Sequence, residues 1–164
     1  MCKRAIYPGS FDPVTFGHID LIKRAQAIFE EVVVSVAADS QKQCAFSLEE
    51  RVAMLQRATK GMDNVTVEPF SGLVVDFARK QKTNVILRGI RMISDFEYEF
   101  QMALTNRKLS PDIETVFLMP SEAYSYLSSR LLKEAGLLGA DLSDFVPDFV
   151  ADALKKRLTS SGKK

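Results

Sequence analysis

Residues 3–36 read KRAIYPGSFDPVTFGHIDLIKRAQAIFEEVVVSV. Lys3 to Tyr7 predicts a short strand, ended by Pro8-Gly9. From Ile19 to Glu30 the apolar residues recur with helical period: Ile19, Ile22, Ala25 and Phe29 share one face, widened by Leu21 and Ile28. Val32-Val33-Val34-Ser35-Val36 follows as a nearly continuous apolar strand, the pattern of a strand covered on both faces. Strand, helix and doubly buried strand in succession make a βαβ unit. Its two strands run parallel, joined by a right-handed crossover.

The same alternation continues outward. Ser47-Leu48-Glu49-Glu50 has the form of a capping box, with Ser47 as N-cap, and opens a helix running to about Lys60 and stopped at Gly61. Val65–Val67 predicts a strand and Leu73–Gln81 a helix; Val85–Leu87 and Glu114–Met119 predict two more strands. Between these last two lies a helix over Phe96–Lys108, with Asp95 near its N-cap and Phe96 and Phe100, four residues apart, as its buried stripe. Ser128–Ala135 and Asp148–Leu158 predict the final helices, before a polar tail over 159–164. Five strands separated by helices define an α/β chain: one doubly wound domain on a five-stranded parallel sheet. In such sheets ligands bind at the carboxyl ends of the strands, near the switch in strand order. Function is expected in the loops after strands one, two, four and five.

Composition narrows the field. The 164 residues are 46% apolar, enough for one core without a disulfide or metal staple. Lys and Arg number 22 against 21 Asp and Glu, a net charge of +1 that argues against a duplex nucleic-acid binder. Two cysteines, Cys2 and Cys44, are too few for a secreted disulfide scaffold, and a single histidine, His18, offers no zinc-ligand spacing. Pro8-Gly9 interrupts the N-terminus before a signal peptide's apolar region can form, and no apolar run reaches the roughly 20 residues that span a bilayer. A soluble, cytoplasmic protein with no membrane partner is expected.

Three loops carry chemistry. The first, Pro8 to His18, joins a strand to a helix but is neither G-x-G-x-x-G nor G-x-x-x-x-G-K-[ST], which argues against a dinucleotide-binding dehydrogenase and a P-loop NTPase. It ends in Thr15-x-Gly17-His18 at a helix N-terminus, where free N–H groups and the positive dipole end favour an anion. His18 would project from the first turn toward that anion; the plainer alternative is local capping or packing. The second loop, Leu87-Arg88-Gly89-Ile90-Arg91, sets two guanidiniums around a glycine at a strand end, which suits a polyphosphate. Pairing of these arginines with Asp95, Glu97 or Glu99 explains them equally well. The third, Tyr124 to Lys133, places hydroxyls at a helix start, where serines usually serve as caps.

Taken together, Tyr7-Pro8-Gly9-Ser10-Phe11-Asp12-Pro13, Thr15-x-Gly17-His18, Phe46-Ser47-Leu48-Glu49-Glu50-Arg51, Arg88-Gly89-Ile90-Arg91, Asp95-Phe96-Glu97-Tyr98-Glu99 and Ser128-Ser129-x-x-x-Lys133 closely resemble the bacterial phosphopantetheine adenylyltransferases. These belong to the wider T/H-x-G-H nucleotidyltransferase superfamily. The resemblance runs from Lys3 to about Leu158. It implies a Rossmann-like nucleotidyltransferase domain over residues 1–158 that transfers AMP from ATP to 4′-phosphopantetheine, giving dephospho-coenzyme A and pyrophosphate. It further implies Mg²⁺, a homohexamer, a cytoplasmic location and feedback inhibition by coenzyme A.

Matched residue by residue, the resemblance implies ATP contacts at Gly9, Ser10, His18, Gly89, Ile90, Arg91, Glu99, Tyr124, Ser125, Tyr126, Leu127, Ser128, Ser129 and Arg130. The pantetheine substrate would be held by Ser10, Lys42, Val74 and Arg88. His18 would stabilise the transition state, with Lys42 and Arg91 as catalytic cations; no residue is implied as a metal ligand. This chain departs from the family pattern at Phe16, often asparagine, at Tyr124, in place of tryptophan, and at Arg130, in place of a hydroxyl residue. In the implied reaction the nucleophile is a phosphate with a second pKa near 6, already anionic at neutral pH, so no general base and no covalent enzyme intermediate are required. The obstacle is repulsion between anions. Two unit charges about 4 Å apart interact by roughly 4 kcal/mol at an effective dielectric near 20, so several cations must converge. Rival readings are a nucleotidyltransferase acting on nicotinate mononucleotide or glycerol 3-phosphate, and a nucleotide-binding sensor without turnover.

Overall fold

The computed structural model describes residues 4–38 and 44–161. Strands β1 (Arg4–Gly9), β2 (Glu31–Ala37), β3 (Val65–Phe70), β4 (Val85–Gly89) and β5 (Glu114–Leu118) are separated by helices α1 (Phe16–Ile28), α2 (Leu48–Ala58), α3 (Val74–Lys80) and α4 (Ile93–Leu109). Helices α5 (Ser129–Leu137) and α6 (Asp148–Ser161) complete the chain. The five strands form one sheet in the order β3-β2-β1-β4-β5, all pairs parallel. β1 is central. The chain builds outward from it to β3 and then crosses to β4, so the strand order switches between β1 and β4.

Strand periodicity divides the core into two layers. Ala5, Tyr7, Val32, Val34, Val36, Val85 and Leu87 point to one face, where they pack with Leu21, Ile22 and Ala25 of α1, Leu55 of α2, Leu132 of α5 and Val150 and Leu154 of α6. The alternate residues Ile6, Val33 and Ile86 point to the other face and meet Val75, Phe77 and Ala78 of α3. Burial on both faces explains the near-continuous apolar run of β2. The polar residue inside that run, Ser35, is fully buried and donates its hydroxyl to the Val33 carbonyl at 3.0 Å.

Several boundaries differ from expectation. β1 runs through Pro8 to Gly9, because a Pro can join a parallel ladder wherever its missing N–H is not called on. α1 begins at Phe16, three residues earlier than the apolar period suggests, because Thr15 caps it. It ends at Ile28, which is 55% exposed and does not widen the buried face. α6 continues to Ser161, past the expected end at Leu158. The largest correction concerns α4. It starts at Ile93, Asp95 sits within its first turn, and Phe96 and Phe100 stack on each other at 5.6 Å while each remains 46% exposed. The helix turns Glu99 and Asn106 inward instead, and Glu99 there meets the Arg88 guanidinium near the carboxyl end of β4. Cys2 and Lys42 lie outside the described residues.

Candidate active site

A cavity of about 430 Å³ opens at the carboxyl ends of β1 and β4, at the switch in strand order. The β1–α1 loop supplies Gly9, Ser10, Thr15, Gly17 and His18 to its wall; the end of β4 supplies Arg88, Gly89 and Arg91; the start of α5 supplies Ser128, Ser129 and Arg130. Leu127 and Glu99 also line it. The three loops singled out in the sequence therefore share one crevice.

Thr15 and His18 form a reciprocal cap on α1. The Thr15 hydroxyl oxygen accepts from the His18 backbone N–H at 3.3 Å, and the Thr15 backbone N–H donates to His18 Nδ1 at 3.1 Å. An acceptor role for Nδ1 places the proton of the neutral ring on Nε2. Local capping does not compete with the donor role expected of His18: the cap fixes the tautomer and leaves Nε2–H as the ring's donor. Burial, reinforced by the charge of Arg91, lowers the His18 pKa to about 4, so the ring is neutral at physiological pH. The edge-on Phe11 ring, centred 5.0 Å away, supplies part of that burial. Of the first α1 amides, Phe16 donates to Phe145 O at 2.9 Å. Gly17 lines the cavity, and a Cβ there would meet protein only at ordinary van der Waals distance, so the site's own packing does not demand the glycine. What the missing side chain provides is backbone approach from the cavity side.

Both arginines are paired. Arg88 donates from Nε and Nη2 to Glu99 at 2.6 and 2.5 Å, and from Nη1 to the Pro8 carbonyl at 2.7 Å. Burial opposes the Arg88 cation, but the bidentate hydrogen bonds and charge of Glu99 outweigh it and hold the pKa above the usual arginine value. Arg91 bridges to Asp95 through Nε at 3.1 Å and donates to the Leu127 carbonyl. The pairing with Asp95 and Glu99 and the position on the cavity wall hold together. Each guanidinium has five N–H donors, so capacity remains beyond those used. Gly89 packs tightly on α1: a Cβ there would lie 2.4 Å from Leu21 Cδ1, so the leucine side chain would have to shift.

α5 is tied to the first loop. Ser128 caps it, its hydroxyl accepting from Leu131 N at 3.1 Å, and the Ser129 hydroxyl donates to the Pro13 carbonyl at 2.8 Å. Lys133 donates to Asp12 at 2.5 Å, and Asp12, only 4% exposed, also accepts from the backbone N–H groups of Ala45 and Phe46. Sequence reasoning gave Asp12, Lys133 and Tyr7 no separate role in the site, and named Asp95 only as one of three candidate partners of the arginines. For Lys133 the signal was its spacing of four from Ser129. For Asp12 there was none, since its partners lie 33, 34 and 121 residues away.

The other expected contacts fall elsewhere. Val74 begins α3 and packs against the opposite face of the sheet. Ile90, Tyr124, Ser125 and Tyr126 lie outside the cavity lining; Ile90 donates its N–H to Leu118 O, and the Tyr124 ring sits 6.2 Å from that of Phe16. Arg130 stands on the cavity rim, its side chain 88% exposed and paired with Glu134. Among the described residues there is no group of three His, Cys, Asp or Glu that would form a metal cage.

The cytidylyltransferase-like family matches residues 6–135, which take in β1 to α5 and all three loops. The chain belongs to this family, a family of nucleotidyltransferase enzymes. Solved structures share the Rossmann-like fold. A bifunctional NMN adenylyltransferase/ADP ribose pyrophosphatase from Francisella tularensis, complexed with AMP and manganese ion, matches with a TM-score of 0.71 at 16% identity. The match covers 97% of this chain but 50% of that one, so this chain spans about half its length. A putative nicotinate-nucleotide adenylyltransferase from Vibrio parahaemolyticus matches at 0.68 and 18% identity, over 94% and 99% of the two chains. The nicotinic acid mononucleotide adenylyltransferase of Plasmodium falciparum, complexed with NaAD, matches at 0.70 and 13%, over 99% and 97%. At these identities the likeness is one of fold. No helix of the described residues is long and apolar enough to cross a membrane.

Proposed function

We propose that this nucleotidyltransferase is a phosphopantetheine adenylyltransferase: it transfers AMP from ATP to 4′-phosphopantetheine, releasing pyrophosphate and dephospho-coenzyme A. The observation that carries AMP transfer is the convergence of a neutral His18, two helix N-termini and two arginines on one crevice. The choice of acceptor rests on the sequence resemblance, above all Arg88-Gly89-Ile90-Arg91 together with Thr15-x-Gly17-His18.

The acceptor phosphate attacks the α-phosphorus in line, so that the new O–P bond forms as the bond to pyrophosphate breaks. No enzyme group becomes covalent. His18 donates from Nε2 to the α-phosphoryl oxygens, where charge grows in the transition state. Arg91, the start of α5 and the Ser128 and Ser129 segment hold the β- and γ-phosphates; Ser10, Arg88 and Lys42 hold the incoming phosphate. Each guanidinium meets substrate through N–H donors beyond those already used for Asp95 or Glu99. Mg²⁺ bound to the triphosphate of ATP would offset its charge during the transfer, a binding mode that would ask few ligands of the protein. In this reading the enzyme works in the cytoplasm as a homohexamer, and coenzyme A, which resembles the product, competes for the crevice.

The test is an assay with ATP, Mg²⁺ and, in parallel, 4′-phosphopantetheine, nicotinate mononucleotide and glycerol 3-phosphate, with mass detection of products and pyrophosphate. Dephospho-coenzyme A as the dominant product is expected. Preferential adenylylation of nicotinate mononucleotide, the kind of substrate named for the structural neighbours, would replace the acceptor assigned here. ATP binding without turnover of any acceptor would leave a sensor.

A further inference from the structure

Tyr7 stands near the carboxyl end of the central strand, 5% exposed, its ring edge-on to Phe11 at 5.3 Å. Packing accounts for the ring but not for the hydroxyl. Among the described residues the Tyr7 Oη has no hydrogen-bond partner, yet the one sealed side-chain polar atom lacking a partner is Arg51 Nε. The Tyr7 hydroxyl is therefore not closed off in the core, and the space it reaches is the cavity, which Tyr7 lines. The oxygen lies beside the second loop: a Cβ on Gly89 would come within 3.8 Å of it. Arg88, Arg91 and Glu99 are the charged groups whose fields act on it.

We infer that the Tyr7 hydroxyl is a substrate-binding group, donating a hydrogen bond to a phosphoryl oxygen held between Arg88 and Arg91. The core does not need the hydroxyl, since phenylalanine would fill the same space and keep the edge-on contact with Phe11. A ligand oxygen supplies the missing partner. Burial, opposed by Arg88 and Arg91, keeps the phenol protonated across the physiological range, so it acts as a donor and not as an anion. The two guanidiniums select a phosphoryl oxygen over a neutral acceptor.

This inference rests on the adenylyl-transfer reading for its kinetic test, and Tyr7→Phe supplies it. The expected result is an unchanged or raised melting temperature together with a fall of about 10-fold or more in kcat/KM for ATP or for the acceptor. Binding of a non-hydrolysable ATP analogue and of pyrophosphate, followed by calorimetry, reads the same bond without turnover. Weaker binding of either probe supports the donor role even if no acceptor in the panel is adenylylated, an outcome that would sink the proposed acceptor alone. Tyr7→Phe with wild-type kinetics and wild-type affinity for both probes overturns the inference. So does a loss of activity that tracks a fall in melting temperature and is matched by the core variant Ile22→Val.

Discussion

His18 is the sole histidine of the chain, which makes its ionisation directly observable. With its pKa lowered to about 4 by burial and Arg91, the ring stays neutral where an ordinary imidazole would charge. A proton NMR titration of its ring signals should show a midpoint near pH 4; a midpoint near 6.5 would contradict the buried, Arg91-facing placement. The linkage to stability follows in sign. At pH 7 the ring is neutral in both the folded and the unfolded chain. As pH falls below 6.5 the unfolded chain takes up the proton first, and stability is lost until about pH 4, by about 3 kcal/mol at full extent. A donor from Nε2, not a proton relay, is the role this ionisation allows. That much could not be read from residue order. The sequence placed His18 on the first turn of a helix, but its tautomer depends on a backbone N–H three positions back, and its pKa on burial and on an arginine 73 residues on, by the difference of the two residue numbers.

α1 shows how one element serves structure and chemistry through the same atoms. Thr15 satisfies the His18 amide while presenting its own N–H to the ring. Thr15→Ala removes the cap and should cost about 1 kcal/mol of stability. It should also lower kcat, since the ring loses the hydroxyl that helps orient it, whereas Thr15→Ser should restore both. Urea unfolding and steady-state kinetics on the pair check this; equal loss in the two variants would mean that the methyl group matters instead of the hydroxyl. The apolar runs of β2 and β4 and the period of α1 were legible because burial on the sheet faces imposes them. The orientation of α4 was not. Its aromatic pair at i and i+4 carries the signature of a buried stripe, but an ion pair with Arg88 rotates Glu99 inward and leaves the rings half outside. Hydrophobic periodicity does not contain that competition.

For the molecule as a whole, a parallel sheet with β1 at its centre brings loops distant in sequence to one rim, and the alternation of strands and helices was enough to foresee that rim. It was not enough to foresee the ties across it, such as Lys133 to Asp12 and Ser129 to Pro13, which couple α5 to the first loop. The outer side of α4 exposes Ile93, Phe96, Phe100 and Leu104 together, apolar area that the homohexamer of the proposed reading would cover. Sedimentation equilibrium should give six times the chain mass, and a monomer at micromolar concentration would remove the assembly from that reading. In the proposed reading, whatever the assembly, the crevice works by stabilising charge on a transferring phosphoryl group. The kcat of His18→Ala is the most direct measure of that: it should fall about 100-fold or more, the scale of losing one oxyanion donor, with the KM for ATP changing far less. Near-full turnover in this variant would contradict the role assigned to the crevice.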